Sequence, residues 1–225
     1  RAFNYVLKTF SKYIADDTAV LFFDQDTVIP ENHIAKLHGV FNELRKIGEP
    51  VGAIGPVYID ASDGKARFPK HGKWITKESM RVRTLITSSM LCQYGTLKEI
   101  GFWNEKIFLD MADWDLCWRL RWYGYSCCMT QASLIHHTVG EDRQGKGGAS
   151  IIIWKPFRIY YQTRDLLRLC GESYVPFLEK VHVSLTFFMR YIYQLAFLDH
   201  KYARLRYLFY GIRDYFSQYT GVIKY

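Results

Sequence analysis

Phe3, Val6, Phe10 and Ile14 recur at helical spacing, so the pattern predicts an amphipathic helix at the start of the chain. Thr18 to Phe23 then reads as a strand, with five apolar residues in a row from Ala19. Asp24-Gln25-Asp26 follows where that strand runs out into solvent. Pro30 suits the first turn of a second helix, whose Ile34, Leu37, Phe41 and Leu44 share one apolar face and which Gly48 ends. Val51 to Ile59 is a second strand. Strand, helix and strand in that order predict a crossover unit in a sheet, hence an α/β domain.

Asp60 to Lys77 is polar and rich in Gly and Lys, which predicts a long loop. Leu85 to Leu91 reads as a strand with Thr87, Ser88 and Ser89 in or beside it. Thr96 opens a short helix closed by Gly101, and Asp113 to Tyr123 forms another, terminated by Gly124. Ser126 to Ile135 returns as a strand and delivers His136 and His137 to its end. Glu141 to Ser150 is glycine-rich and basic, a flexible loop near the ligand. From Phe157 the pattern is helical: Phe157 to Leu169, Val175 to Leu198, and Tyr202 to Phe216. Val181 to Leu198 comes nearest to a transmembrane span. Arg190 near its middle makes spanning costly, by about 2.5 kcal/mol or more, so a helix lying at an interface or packed on the domain is expected instead.

A chain of 225 residues accommodates one large domain or a domain with an appendage, and a hydrophobic content of 49% argues against wholesale disorder. Five cysteines, an odd number without paired metal-ligand spacing, read as reduced thiols of a cytosolic protein. The net charge of +8 is uneven: residues 151–225 hold 11 Lys/Arg against 5 Asp/Glu, and 19 of the 38 aromatic residues. Basic and aromatic residues on helical periodicity suit an anionic membrane surface better than a nucleic acid, with ordinary helix packing as the alternative.

Two acidic constellations carry candidate chemistry. In a strand, residues two apart point the same way, so Asp24 and Asp26 can face one site. Paired carboxylates repel unless a cation lies between them, which invites a hard divalent metal. A plain acidic turn is the alternative. The second constellation, Asp110, Asp113 and Asp115, stands at a helix start, where negative charge is favourable. Three acids there exceed what the helix dipole requires. Asp113 and Asp115 lie on different faces, and a carboxylate there suits proton abstraction from a hydroxyl. Arg119, four residues after Asp115, is placed to pair with it.

Taken in order, Phe22-Phe23-Asp24-Gln25-Asp26, Ile86-Thr87-Ser88-Ser89, Ile100-Gly101-Phe102, Phe108-Leu109-Asp110 with Asp113-Trp114-Asp115-Leu116-Cys117-Trp118-Arg119, His137-Thr138-Val139-Gly140 and Tyr160-Tyr161-Gln162-Thr163-Arg164 resemble the family-two inverting glycosyltransferases, bacterial rhamnosyltransferases in particular. The resemblance covers about residues 1–170. It implies a GT-A-like sheet flanked by helices over residues 1–153, with a helical, membrane-associating extension over 154–225. It also implies Mg²⁺ or Mn²⁺ as cofactor and a nucleotide-sugar donor, dTDP-rhamnose, for a glycan or lipid-linked acceptor in cell-surface polysaccharide synthesis. The corresponding location is cytoplasmic, peripheral on the inner face of the bacterial membrane.

On this resemblance Asp26 and His137 bind the metal, while Asp24, Ser88 and Arg164 contact the donor. Asp113 is the general base, and Trp114 and Asp110 face the sugar or acceptor. His137 as a packed histidine, Arg164 as a helix-surface salt bridge and Trp114 as a core residue are the alternatives. Family members commonly carry Ser-Gly where Ser88-Ser89 stands, and often Glu where Ala112 stands. The strand–helix pair that opens the family's domain, which holds the nucleotide base, has no counterpart here, so several tens of residues are expected to precede Arg1. A non-catalytic carbohydrate- or membrane-binding module, and another metal-dependent transferase such as a nucleotidyltransferase, are the competing functional classes.

Overall fold

The computed structural model describes the chain apart from residues 26, 61–63, 70, 138–141, 145–150, 154 and 224–225, and describes the backbone alone at 137, 142–144 and 151–153. The elements run α1 (Ala2–Thr9), a 3₁₀ turn (Ser11–Tyr13), β1 (Ala19–Phe22), α2 (His33–Lys46), β2 (Val51–Asp60), β3 (Lys65–Arg67), β4 (Lys73–Trp74), β5 (Ser79–Val82), β6 (Met90–Gln93) and α3 (Tyr94–Glu99). They continue with α4 (Ala112–Trp122), β7 (Ser126–His137), β8 (Asp142–Gln144), β9 (Ile151–Ile153), α5 (Pro156–Gly171), α6 (Phe177–Phe197) and α7 (Lys201–Phe216). This is the expected α/β class. The chain falls into two compact units, Arg1–Asn104 with Leu116–Val139, and Glu105–Asp115 with Gly140–Tyr225.

In the first unit the sheet order is β1-β6-β2-β7-β5-β4, with β3 paired to β2. The predicted crossover forms, but β1 and β2 are not neighbours: β6 lies between them, antiparallel to both. Among the described residues only β2 and β7 pair in parallel. Seven of the ten residues of β2 form an unbroken buried run, as expected for a central strand covered on both faces. Helix α2 lies over the sheet, with Leu37, Phe41 and Leu44 packed among Val51, Ile54, Leu91 and Cys128.

Several local expectations change. The face of α2 that packs inward begins at His33, 1% exposed, whereas Ile34 is 52% exposed. Pro30 stands ahead of the helix, and its carbonyl accepts the His33 N–H at 3.3 Å. Helix α1 turns Asn4 and Leu7 inward and leaves Val6 and Phe10 exposed. The Asn4 amide replaces apolar packing with two bonds to the Trp103 backbone, at 2.8 and 2.9 Å. The expected strand at 85–91 begins only at Met90, because residues 87–90 make a turn closed by Met90 N–H to the Thr87 carbonyl at 3.0 Å. The predicted polar loop contains β3 and β4; the Glu49–Arg81 pair, at 2.6 Å, secures β5 beyond it. Most of the predicted loop at 141–150 lies outside the described residues.

The second unit is held by helix packing and by a buried charge cluster. Gly211 sits where a β-carbon would meet the Tyr160 carbonyl at 2.7 Å and Thr163 Cβ at 2.9 Å, so glycine is what lets α7 approach α5. Arg164 and Asp165, both fully buried, pair at 2.8 Å. Arg164 also donates to the Gly221 carbonyl at 2.9 Å, and Arg168 donates to those of Lys106 and Tyr219, at 2.9 and 2.6 Å. No described helix is long and apolar enough to cross a membrane.

Candidate functional site

Strand β1 ends at Phe22, and the chain then turns, with the Thr27 N–H donating to the Asp24 carbonyl at 3.1 Å. Asp24 is exposed on this turn. Asp26, the predicted metal ligand, lies outside the described residues. Two tethers hold the turn. The Thr27 hydroxyl meets that of Ser88 at 2.5 Å, and Val28 forms an isolated antiparallel bridge with His136. The acidic turn and the end of β7, predicted separately from the sequence, are therefore brought together. His137 is the last residue of β7; its side chain lies outside the description. His136 is exposed.

Ser88 is fully buried, its hydroxyl engaged by Thr27. That bond ties Ser88, expected to contact the donor, to the acidic turn. Its neighbour Ser89 has φ +61°, a left-handed conformation that favours glycine. A specific contact accompanies the serine in this conformation. Ser89 Oγ lies 2.5 Å from Nε2 of His33, whose Nδ1 lies 2.7 Å from Ser133 Oγ. Burial, with the nearby Lys36 charge adding to it, pushes the His33 pKa below its ordinary value. The ring is thus neutral, with one nitrogen donating and the other accepting. His33 joins α2, the 87–90 turn and β7, and sequence reasoning missed it. Its place one position before the expected apolar stripe was the only available signal.

The second acidic constellation belongs to the second unit as far as Asp115. Asp113, in the first turn of α4, is half-buried and accepts the Trp114 N–H at 2.9 Å. Asp115 is fully buried and accepts the Tyr174 hydroxyl at 2.6 Å. Arg119 uses its guanidinium on the carbonyls of Ile100 and Phe102, at 2.7 and 2.6 Å. Trp114 is half-buried, its ring edge-on to Phe187 with centroids 6.5 Å apart.

Helix α5 organises the loop ahead of Asp113. Arg158 and Gln162 both donate to the Asp110 carboxylate, the latter at 2.6 Å. The Asp165 carboxylate accepts the Phe108 N–H at 2.7 Å. These bonds make Asp110 an anchor of the loop. Arg164, expected to contact the donor or to form a helix-surface salt bridge, is enclosed within the second unit. It is 0% exposed, bound to Asp165, and lies over the Tyr160 and Tyr161 rings at 5.1 and 5.2 Å. The Tyr160 hydroxyl in turn donates to Asp214 at 2.7 Å. The Tyr-Tyr-X-X-Arg segment is a structural clamp of the second unit.

No group of three metal-ligating side chains occurs among the described residues. The chemistry of the donor set, carboxylate oxygen at the end of a strand, nevertheless fits a hard divalent cation. A cavity of about 390 Å³ lined by Asp16, Asp17, Arg45, Gln93 and Tyr125 lies at the opposite end of β1, away from the acidic turn.

No family model matches the chain. It is 31% identical over 173 residues to the dTDP-rhamnosyl transferase RfbF of Shigella flexneri, an alignment covering 71% of this chain and 55% of that protein. The chain thus spans about half the length of the curated relative it matches. A solved structure of GalNAc-T7 with UDP, GalNAc and Mn²⁺ aligns over 80% of this chain and 41% of its own. Its 14% identity and TM-score of 0.43 carry no argument. By its sequence match, the chain belongs to the glycosyltransferase family of the bacterial rhamnosyl transferases.

Proposed function

We propose that the full-length protein is a metal-dependent inverting glycosyltransferase that moves rhamnose from dTDP-rhamnose to a glycan or lipid-linked acceptor. The observation that carries this reading is the tethering of the turn that follows Asp24 to Ser88 and to the end of β7. It places an acidic turn beside a histidine-bearing strand end in a chain related to a rhamnosyl transferase. Asp26, with His137, would hold a divalent cation, which when bound supplies positive charge against a leaving diphosphate, and Asp24 would contact the donor. Asp113 would take the proton of the acceptor hydroxyl as its oxygen attacks the anomeric carbon. The sugar–diphosphate bond breaks in the same displacement, releasing the nucleoside diphosphate with inversion. Asp110, held by Arg158 and Gln162, fixes the loop that leads into the helix carrying Asp113. Work on lipid-linked glycans accords with a cytoplasmic enzyme peripheral to the inner face of the membrane.

The test supplies the full-length protein with dTDP-rhamnose, acceptor and Mg²⁺ or Mn²⁺, and follows product and nucleotide. Release of dTDP, abolished by chelation and by Asp26→Ala or Asp113→Asn, is the expected result. Near-normal turnover in both variants overturns the assignment, as does release of pyrophosphate, the signature of a nucleotidyltransferase. Sugar binding without any transfer would instead identify a non-catalytic module.

A further inference from the structure

Helix α6 is more apolar on its outside than on its inside. Of its 21 residues only Val183, Phe187 and Gln194 are buried. Leu178, Val181, Leu185, Phe188, Met189 and Ile192 recur every three or four residues and are 45–78% exposed. This makes one continuous outward stripe about 21 Å long. Helix α7 repeats the pattern: Tyr202, Leu205, Phe209, Ile212 and Phe216 follow the same spacing, and Phe209 and Phe216 are 63% and 75% exposed. Scattered exposed apolar residues need no explanation, but two periodic stripes of this length do.

Charge decides among the possible occupants. Together the two helices carry six Lys/Arg and two Asp/Glu. Of the two acids, Asp214 is buried and paired with Arg213. The cations of α7 stand next to stripe residues in sequence: Lys201 before Tyr202, Arg206 after Leu205 and Arg213 after Ile212. Arg190 of α6 lies over the ring of buried Phe187, away from that helix's stripe; on α7 a neighbour is rotated by about 100°, so these three cations border the apolar stripe. Their aliphatic stems can lie along the apolar surface while the charged ends reach a layer of phosphates. An apolar stripe bordered by cations is the pattern of a helix lying in the plane of an anionic bilayer. A spanning role is not needed, and neither helix is apolar enough for one.

We propose that the outward faces of α6 and α7 form a membrane-contact surface, in which α6 seats its apolar side chains among acyl chains and the cations bordering the α7 stripe meet anionic headgroups. The proposal extends the membrane part of the reading above by naming the face and the lipid charge. The test is co-sedimentation of the full-length protein with phosphatidylcholine vesicles with and without about one third phosphatidylglycerol. The variant Leu185→Asp/Phe188→Ser/Met189→Asp is run in parallel. All three positions are more than half exposed, so its thermal midpoint should match that of the parent.

The expected result is binding about tenfold or more tighter to the anionic vesicles, weakened by salt, and a loss of about tenfold or more in the triple variant. Equal binding to both vesicle types, no binding, or undiminished binding by the variant overturns the proposal. So does light scattering that shows a dimer which the triple substitution converts to monomer, because a second copy then covers the face. The readout is lipid binding, so a protein that binds vesicles but transfers no sugar refutes only the proposed enzyme activity.

Discussion

Replacing Ser89 by alanine and by glycine separates two effects that coincide at one position. Ser89 is fully buried, holds φ +61° and lies 2.5 Å from the His33 ring. Ser89→Ala keeps the β-carbon in the left-handed conformation and removes the hydroxyl, leaving a buried ring nitrogen without its partner, at a cost of about 1–3 kcal/mol. Ser89→Gly loses the same bond but relieves the left-handed strain, by about 1 kcal/mol. The glycine variant should therefore be the more stable of the two by about 1 kcal/mol. His33→Ala strands the hydroxyls of Ser89 and Ser133 and opens a cavity between α2, β7 and the 87–90 turn, costing about 3–5 kcal/mol. Urea unfolding with unchanged m-values measures all three, and a double-mutant cycle between positions 33 and 89 should be clearly non-additive. An alanine variant as stable as the glycine variant, or additive losses at the two positions, would refute the reasoning.

The depressed His33 pKa gives a pH dependence of definite sign. The unfolded chain takes up a proton near pH 6.5 that the native state resists, so this contribution is complete above pH 6.5 and is lost as pH falls towards the lower native value. Unfolding measured from about pH 7.5 to about pH 5.5 should show a steeper loss for the parent than for His33→Gln. Gly211→Ala should destabilise by about 1–3 kcal/mol, because α7 must move off the Tyr160 carbonyl; an unchanged denaturation midpoint would contradict the close approach. Cys92, Cys117, Cys127 and Cys128 are buried, and burial pushes the Cys128 thiol up to about 11, so a thiol reagent at neutral pH should label half-buried Cys170 first and the others only on unfolding.

The sequence by itself determined the elements whose signal is local and repeated. The inward positions Leu37, Phe41 and Leu44, the stop at Gly124 and the three terminal helices follow from a 3.6-residue period and its end signals. The order of motifs likewise identified the family, because identity in sequence survives without any knowledge of contacts. Strands β3 and β4 were not legible, since three and two residues are too short to establish a period.

Tertiary structure decided what depends on partners distant in the chain. Only the fold inserts β6 between β1 and β2, and only the fold sets the acidic turn beside β7. His33 stands outside the apolar stripe expected from the sequence and is buried because Ser89 and Ser133 arrive to satisfy it. Arg164 reads as an exposed charge and is enclosed because Asp165 and the Gly221 carbonyl receive it. A polar group can be buried only where its hydrogen bonds are met, and those partners come from segments that no local pattern connects. The same reason, reversed, explains the outer face of α6: periodicity reveals that a helix has an apolar stripe, but only packing determines whether the fold covers it.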